Sequence, residues 1–193
     1  CIGFNCSPTI PQALGFVQGT VLAEVEYEGD AIASENKVTA RRMRLARVWD
    51  WGTAESVRLA VDAAESVIGL YESSYPADGR PRAAIEAAKR CLEEPSNENQ
   101  KAAMAAAKAA YAAAYAAYAA TYAAYASDAA AEATYAAYAG ARASAYAAAY
   151  SAETAFASDA ADAAAMAENA AFAASRASAY AAAYSAEAAY SAE

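Results

Sequence analysis

Apolar and polar positions fall into three regimes along the chain. Up to about residue 36 no helical period is visible, and Pro8, Pro11, Gly15, Gly19 and Gly29 punctuate an irregular segment. Within it Val21, Ala23, Val25 and Tyr27 alternate with Leu22, Glu24, Glu26 and Glu28. This period of two predicts a short strand or an edge hairpin ending at Glu28-Gly29-Asp30. A single strand is not stable alone, so it is expected to pair, with a neighbouring chain as one route. From Lys37 to Trp51 the basic residues Lys37, Arg41, Arg42, Arg44 and Arg47 interleave with Val38, Met43, Leu45 and Val48. That stretch reads as an amphipathic helix with a solvated basic face, the alternative being a small anion-binding patch.

The middle of the chain carries clearer helical signals. Gly52 stops one element, and Thr53 as N-cap with Glu55 in the first turn opens a helix predicted to reach about Glu72. Its apolar positions Val57, Ala60, Val61, Ala64, Val67, Ile68 and Tyr71 recur in steps of three and four. After a loop over residues 73–79, Pro81 sits where a first helical turn tolerates it, and the next helix runs to Leu92 with Arg82 and Glu86 as an i,i+4 pair. Pro95 breaks again, and Ser96 is a good N-cap for a further helix, with Glu98 at its positive end.

Beyond Gln100 the composition changes. The last 93 residues hold 52 Ala, 12 of the 15 Tyr, one Gly and no Pro, Val, Ile or Leu. A parallel α/β sheet is excluded there, and with Ala the best helix former the tail is helical or it is nothing. As one helix, residues 97–193 would span about 145 Å, so folding back is expected, with breaks at Ser127-Asp128, at Ser158-Asp159 or at Gly140. Tyr111, Tyr115, Tyr118, Tyr122 and Tyr125 follow a 4-3-4-3 spacing, that of a seam packed against a neighbouring helix; the alternative is a tyrosine ladder offered to a ligand, partner or water layer. The run from Arg142 to Glu153, which carries Tyr146 and Tyr150, recurs letter for letter from Arg176 to Glu187, which carries Tyr180 and Tyr184. Such an offset fits a helical-hairpin unit or a duplication.

The expected fold class is therefore all-α: a helical bundle or stacked helical hairpins, with a long Ala/Tyr-rich helical tail and a small irregular or single-strand N-terminal segment. The expected division is 1–36, 37–95 and 96–193. A net charge of −9 argues against a nucleic-acid partner. The uncharged run Ala109–Ser127 is long enough to span a bilayer, but its missing Leu, Ile and Val and its distributed Tyr argue against insertion. With no His and three Cys lacking a C-x-x-C pair, His-based catalysis is excluded, and a zinc site or disulfide framework is a poor reading. The pairs Asp128/Glu132 and Asp159/Asp162 read as solubility and capping rather than as a metal site. No cofactor is expected. Cys1, where Met is usual, suggests a processed or trimmed start. Trp49 and Trp51 are either core anchors or partner contacts.

The segment from Val57 to Tyr71, the run Asp78-Gly-Arg80-Pro81-Arg82-Ala-Ala-Ile85-Glu86-Ala-Ala, and Glu94-Pro95-Ser96-Asn97-Glu98-Asn99 leading into alanine together resemble a bacterial and phage family of immunity proteins of polymorphic toxin systems. The resemblance covers about residues 45–125. Ala63 stands where that family has Cys, and Cys91 where it has an aromatic residue. It implies an all-helical, non-enzymatic protein that neutralises a toxin by binding it. The expected function is thus protein–protein binding, as an immunity or anti-defence factor, with Trp49, Trp51, Asp78, Arg80, Arg82 and Glu86 as partner-binding candidates and Tyr111, Tyr115, Tyr118, Tyr122, Tyr125, Tyr146, Tyr150, Tyr180 and Tyr184 as packing or assembly residues. The alternatives are a self-assembling structural protein and, more weakly, an ice-binding protein. A protein partner or a second copy, a homo-oligomer and a cytoplasmic location are expected, or a secreted or surface location under the structural alternative.

Overall fold

The computed structural model describes residues 3–14, 20–35, 37–125 and 131–190. Its elements are β1 (Phe4–Cys6), α1 (Ile10–Leu14), β2 (Val21–Ala33), β3 (Val38–Asp50), α2 (Thr53–Glu65), α3 (Ile68–Ser74), α4 (Arg80–Glu93), α5 (Asn97–Tyr125), α6 (Ala131–Thr154) and α7 (Ala160–Tyr190). The expected all-α class is overturned: a three-stranded antiparallel sheet in the order β1-β3-β2 makes the fold mixed, though helix dominates.

The segment read as a basic helix is β3. The alternating strand before it finds its partner within the chain, with pairs from Val21↔Asp50 to Ala33↔Val38. The expected hairpin end at Glu28-Gly29-Asp30 is instead a bulge where the register shifts between Glu28 and Ala31, and Gly29 takes φ +80 there. The chain reverses later, where Ser34 N–H donates to Lys37 O at 2.8 Å, and the hairpin base is closed by Trp51 N–H donating to Thr20 O at 2.7 Å.

The helix expected to run from Thr53 to Glu72 breaks after Glu65 into α2 and α3. Gly52, not Thr53, is the N-cap, and its N–H donates to Glu55 Oε2 at 3.0 Å. That backbone hydrogen bond is the main cause holding the Glu55 carboxyl below its ordinary pKa. Ser96 accepts from Asn99 N–H at 3.2 Å, as an N-cap of α5 should, and Asp159 accepts from Ala161 and Asp162 N–H, both at 2.9 Å, to start α7. Gly140 is no break: it lies inside α6. The expected break at Ser127-Asp128 lies outside the described residues.

Helix α6 is the axis of the helical body, packed by α5 and α7 and against α2, α3 and α4. From residue 139 on it is buried on nearly all sides because Ala141, Ala145, Ala147, Ala148, Ala149 and Ala152 present only methyl groups, letting neighbouring backbones come close. Its buried hydroxyls turn back on the helix: Ser144 donates to Ala141 O and Ser151 to Ala148 O, each at 2.8 Å. Only Arg142, Tyr146, Tyr150 and Glu153, on one stripe, stay partly exposed from residue 139 to the helix end.

The buried seams of the flanking helices are also alanine. On α5, Ala103, Ala107, Ala110, Ala114 and Ala117 are buried at 4-3-4-3 spacing. On α7, Ala163, Ala167, Ala170, Ala174 and Ala177 repeat the same spacing. The tyrosine row sits one residue along from the α5 seam, so it flanks the interface. Leu14 of α1 is buried with Ala60, Ala164, Ala167 and Ala170, with Trp51 packed alongside, and this cluster pins the N-terminal segment to the body.

Candidate functional site

The hairpin β2–β3 separates two kinds of chemistry onto its two faces. On one, Glu24 meets Arg47 at 2.7 Å, Glu26 meets Arg44 at 2.6 Å and Glu28 meets Arg42 at 3.5 Å. Arg47 also lies 5.8 Å over the Trp49 ring. The other face carries the directly opposed pairs Ala23↔Val48, Val25↔Leu45 and Tyr27↔Met43. That face is largely open: Val21, Tyr27, Leu45 and Val48 keep 54, 51, 67 and 53% of their surface exposed. Its β2 residues Val21, Ala23, Val25 and Tyr27 line an 820 Å³ groove together with Cys6, Pro8 and Ala13. Strand β1 pairs only with Val38–Ala40 of β3, so most of the hairpin is two-stranded. A two-stranded ribbon of this length is marginal in water unless something covers its apolar side.

The partner-binding candidates named from the sequence divide. Trp49 lies on the ion-pair face, partly exposed. Trp51 points inward, donating its Nε1–H to Ser56 Oγ at 3.0 Å. Asp78 and Arg80 come together with Tyr71: Tyr71 OH donates to Asp78 Oδ2 at 2.6 Å, and Arg80 donates to both Asp78 oxygens at 2.8 and 2.6 Å. The Arg80 hydrogen bonds hold the Asp78 carboxyl far below the usual carboxylate range, while burial and the Asp78 hydrogen bond push the Tyr71 hydroxyl well above its ordinary value. Arg82 does not pair with Glu86 as expected. It grips Glu72 bidentately, both contacts at 2.8 Å, and Glu86 faces Lys89 at 3.4 Å. Asp78, Arg80, Arg82 and Glu86 are thus committed to partners within the chain, and the Arg82–Glu72 pair ties α4 to α3.

The tyrosines divide as well. Tyr111 is enclosed between Tyr146, at 5.9 Å between ring centroids, and Tyr150, at 5.6 Å, both edge-on. Its hydroxyl donates to Glu153 Oε2 at 2.6 Å, and burial first, then that bond, drives its pKa far up. Tyr115 stays 63% exposed, 6.2 Å from the Tyr146 ring, and Tyr118 lies under the Arg142 guanidinium at 4.7 Å. Tyr180 accepts from Arg176 Nη2 at 3.0 Å. Side chains of Tyr122, Tyr125, Tyr184 and Glu132, with all of Asp128, lie outside the described residues.

Two features went unread in the sequence. The ladder of Glu24, Glu26 and Glu28 against Arg42, Arg44 and Arg47 was signalled by acidic residues at every second position before the basic run. The second is a 380 Å³ cleft between α6 and α7, lined by Arg142, Tyr146, Tyr150, Asn169, Phe172 and Arg176 with two alanines. Among the described residues no group of His, Cys, Asp and Glu could hold a metal ion, and no helix is long and apolar enough to cross a membrane. Comparison with known protein families, with curated proteins and with solved structures finds no match for this chain.

Proposed function

We propose that the chain is a non-enzymatic binding protein of the cytoplasm, in which an alanine-packed helical body holds out hairpin β2–β3 to dock another polypeptide. The observation that carries this reading is the hairpin's asymmetry: Glu24, Glu26 and Glu28 pair with Arg47, Arg44 and Arg42 on one face, while Tyr27, Leu45 and Val48 stay exposed on the other. The occupant we assign is a second copy, packed face to face on Met43, Leu45 and Val48. Two chains of net charge −9 repel, but residues 20–51 hold six acidic and five basic side chains, so the hairpin is where two copies approach at least cost. Edge-to-edge pairing of two β2 strands would instead set glutamates beside glutamates. An immunity or anti-defence role, implied by the resemblance over residues 45–125, is the biological setting we propose for this binding.

Sedimentation velocity across a concentration series tests the surface. The wild type is expected to associate reversibly, and L45K/V48K to stay monomeric with unchanged helical circular dichroism. Two results overturn the assignment: a strict monomer at about 0.5 mM, well above the micromolar range of ordinary transient interfaces, or association that survives in L45K/V48K. For the setting, a phage-plating assay is expected to show the chain changing host sensitivity, with no change counting against an anti-defence role.

A further inference from the structure

The duplicated sequence unit has a structural consequence. Its two copies begin at Arg142 on α6 and Arg176 on α7. The short connection at residues 155–159 folds these helices back on each other, and a side chain at Gly140 would meet Ala177 O and Tyr180 Cβ, both at 3.6 Å. The copies therefore run in opposite directions, and their leading arginines line one cleft of 380 Å³. Among the described residues no carboxylate lines that cleft and neither arginine forms an ion pair. Two guanidinium groups lining one depression favour an anion there.

The rest of the lining is aromatic. Arg142 is held over Tyr118 at 4.7 Å and near Tyr146 at 6.0 Å, while Arg176 is held by Tyr180, its Cζ 5.8 Å from the ring. Ring contacts position both cations, and Arg176 also donates from Nη2 to Tyr180 OH at 3.0 Å. Tyr146 and Tyr150 stack at 6.3 Å within the lining, and Phe172 keeps 63% of its surface exposed. Asn169 adds an amide able to donate or accept.

We propose that this cleft is a binding site for a small aromatic ligand bearing one oxyanion, a carboxylate or a phosphate. The anion lies between Arg142 and Arg176, and the ring lies on Tyr146 and Tyr150 under Phe172. The volume suits a ligand of this size and is too small for a folded partner. This site is separate from the hairpin surface and stands or falls independently of it.

Titration calorimetry on the full chain tests the site with four probes: phenyl phosphate, benzoate, inorganic phosphate and phenol. At least one aryl anion is expected to bind with a Kd on the order of 0.1–1 mM, and the tighter of phenyl phosphate and benzoate identifies the oxyanion. Inorganic phosphate and phenol are each expected to bind about tenfold more weakly, since each lacks half the recognition. R142Q/R176Q, which removes both charges and leaves shorter polar side chains, is expected to lose the binding, whereas R58Q on α2 is expected to retain it. In nuclear magnetic resonance the shifts should centre on residues 142–150 and 169–176. The proposal is overturned if neither aryl anion saturates by about 10 mM, if inorganic phosphate binds as tightly as phenyl phosphate, or if R142Q/R176Q binds undiminished.

Discussion

Replacing Gly140 by Ala tests the packing of the helical body. Gly140 lies buried inside α6, opposite Ala177 and Tyr180 of α7 and Leu70 of α3. A methyl group there would meet its nearest atoms at 3.6, 3.6 and 3.9 Å, ordinary van der Waals contact with nothing to displace. Two gains add. Removing a glycine from a helix interior is worth about 1 kcal/mol, and burying one more methyl about 0.8 kcal/mol. The sum, about 1–2 kcal/mol less any small adjustment, corresponds to a rise in Tm of roughly 3–6 °C for a chain of this length. The assay is thermal melting followed by circular dichroism at 222 nm. Gly3→Ala provides the contrast, since its methyl would lie 2.9 Å from Ala40 O and 3.0 Å from Thr39 Cγ2. That variant is expected to loosen β1 and lower hydrogen-exchange protection at Thr39 and Ala40, with little change in the helical melt. A fall in Tm for Gly140→Ala refutes this spacing of α6 and α7, because it would mean that a methyl does not fit opposite Ala177 and Tyr180.

Asp78→Asn weakens the Tyr71–Asp78–Arg80 cluster and is expected to cost about 1–3 kcal/mol at pH 7. Because the folded-state pKa of Asp78 is depressed, its contribution is fully present above the unfolded value near 4 and is lost as pH falls through the lower folded value. The difference between wild type and variant in denaturant melts should therefore shrink only in acid, below about pH 4. Tyr111→Phe leaves the Glu153 carboxylate without its donor and is expected to lower stability by about 1–2 kcal/mol, read from urea midpoints. Cys91 is buried and burial pushes its thiol pKa up, so a thiol reagent should label it only on unfolding, whereas Cys6, partly exposed, should react in the native protein.

Much of the helical architecture is local and was legible. The caps at Ser96 and Asp159, Pro81 in the first turn of α4 and the alanine-rich tail all act within a turn or two of the residue concerned. The break between α2 and α3 was not legible, because the apolar period continues through Val67 and Ile68 while the chain turns there. Of the two surfaces, the hairpin's composition was visible but its partnership was not. Residues 38–50 contain Val38, Met43, Leu45 and Val48 at spacings that suit a helix or a bulged strand alike.

Propensity and capping are short-range, so the places of the alanine-rich helices and the starts of most of them follow from the order of residues alone. Tertiary structure decided three things. It made Val38–Asp50 a strand, because β2 and β1 supply backbone partners along it and opposed side-chain pairs such as Val25↔Leu45 and Tyr27↔Met43. It turned alanine rather than tyrosine into the buried seam of α5. Two rows one residue apart share the 4-3-4-3 spacing, and only the approach of α4 and α6 selects the smaller one. It also brought Arg142 and Arg176 into one cleft, because an exact repeat becomes a facing pair only when the chain folds back on itself.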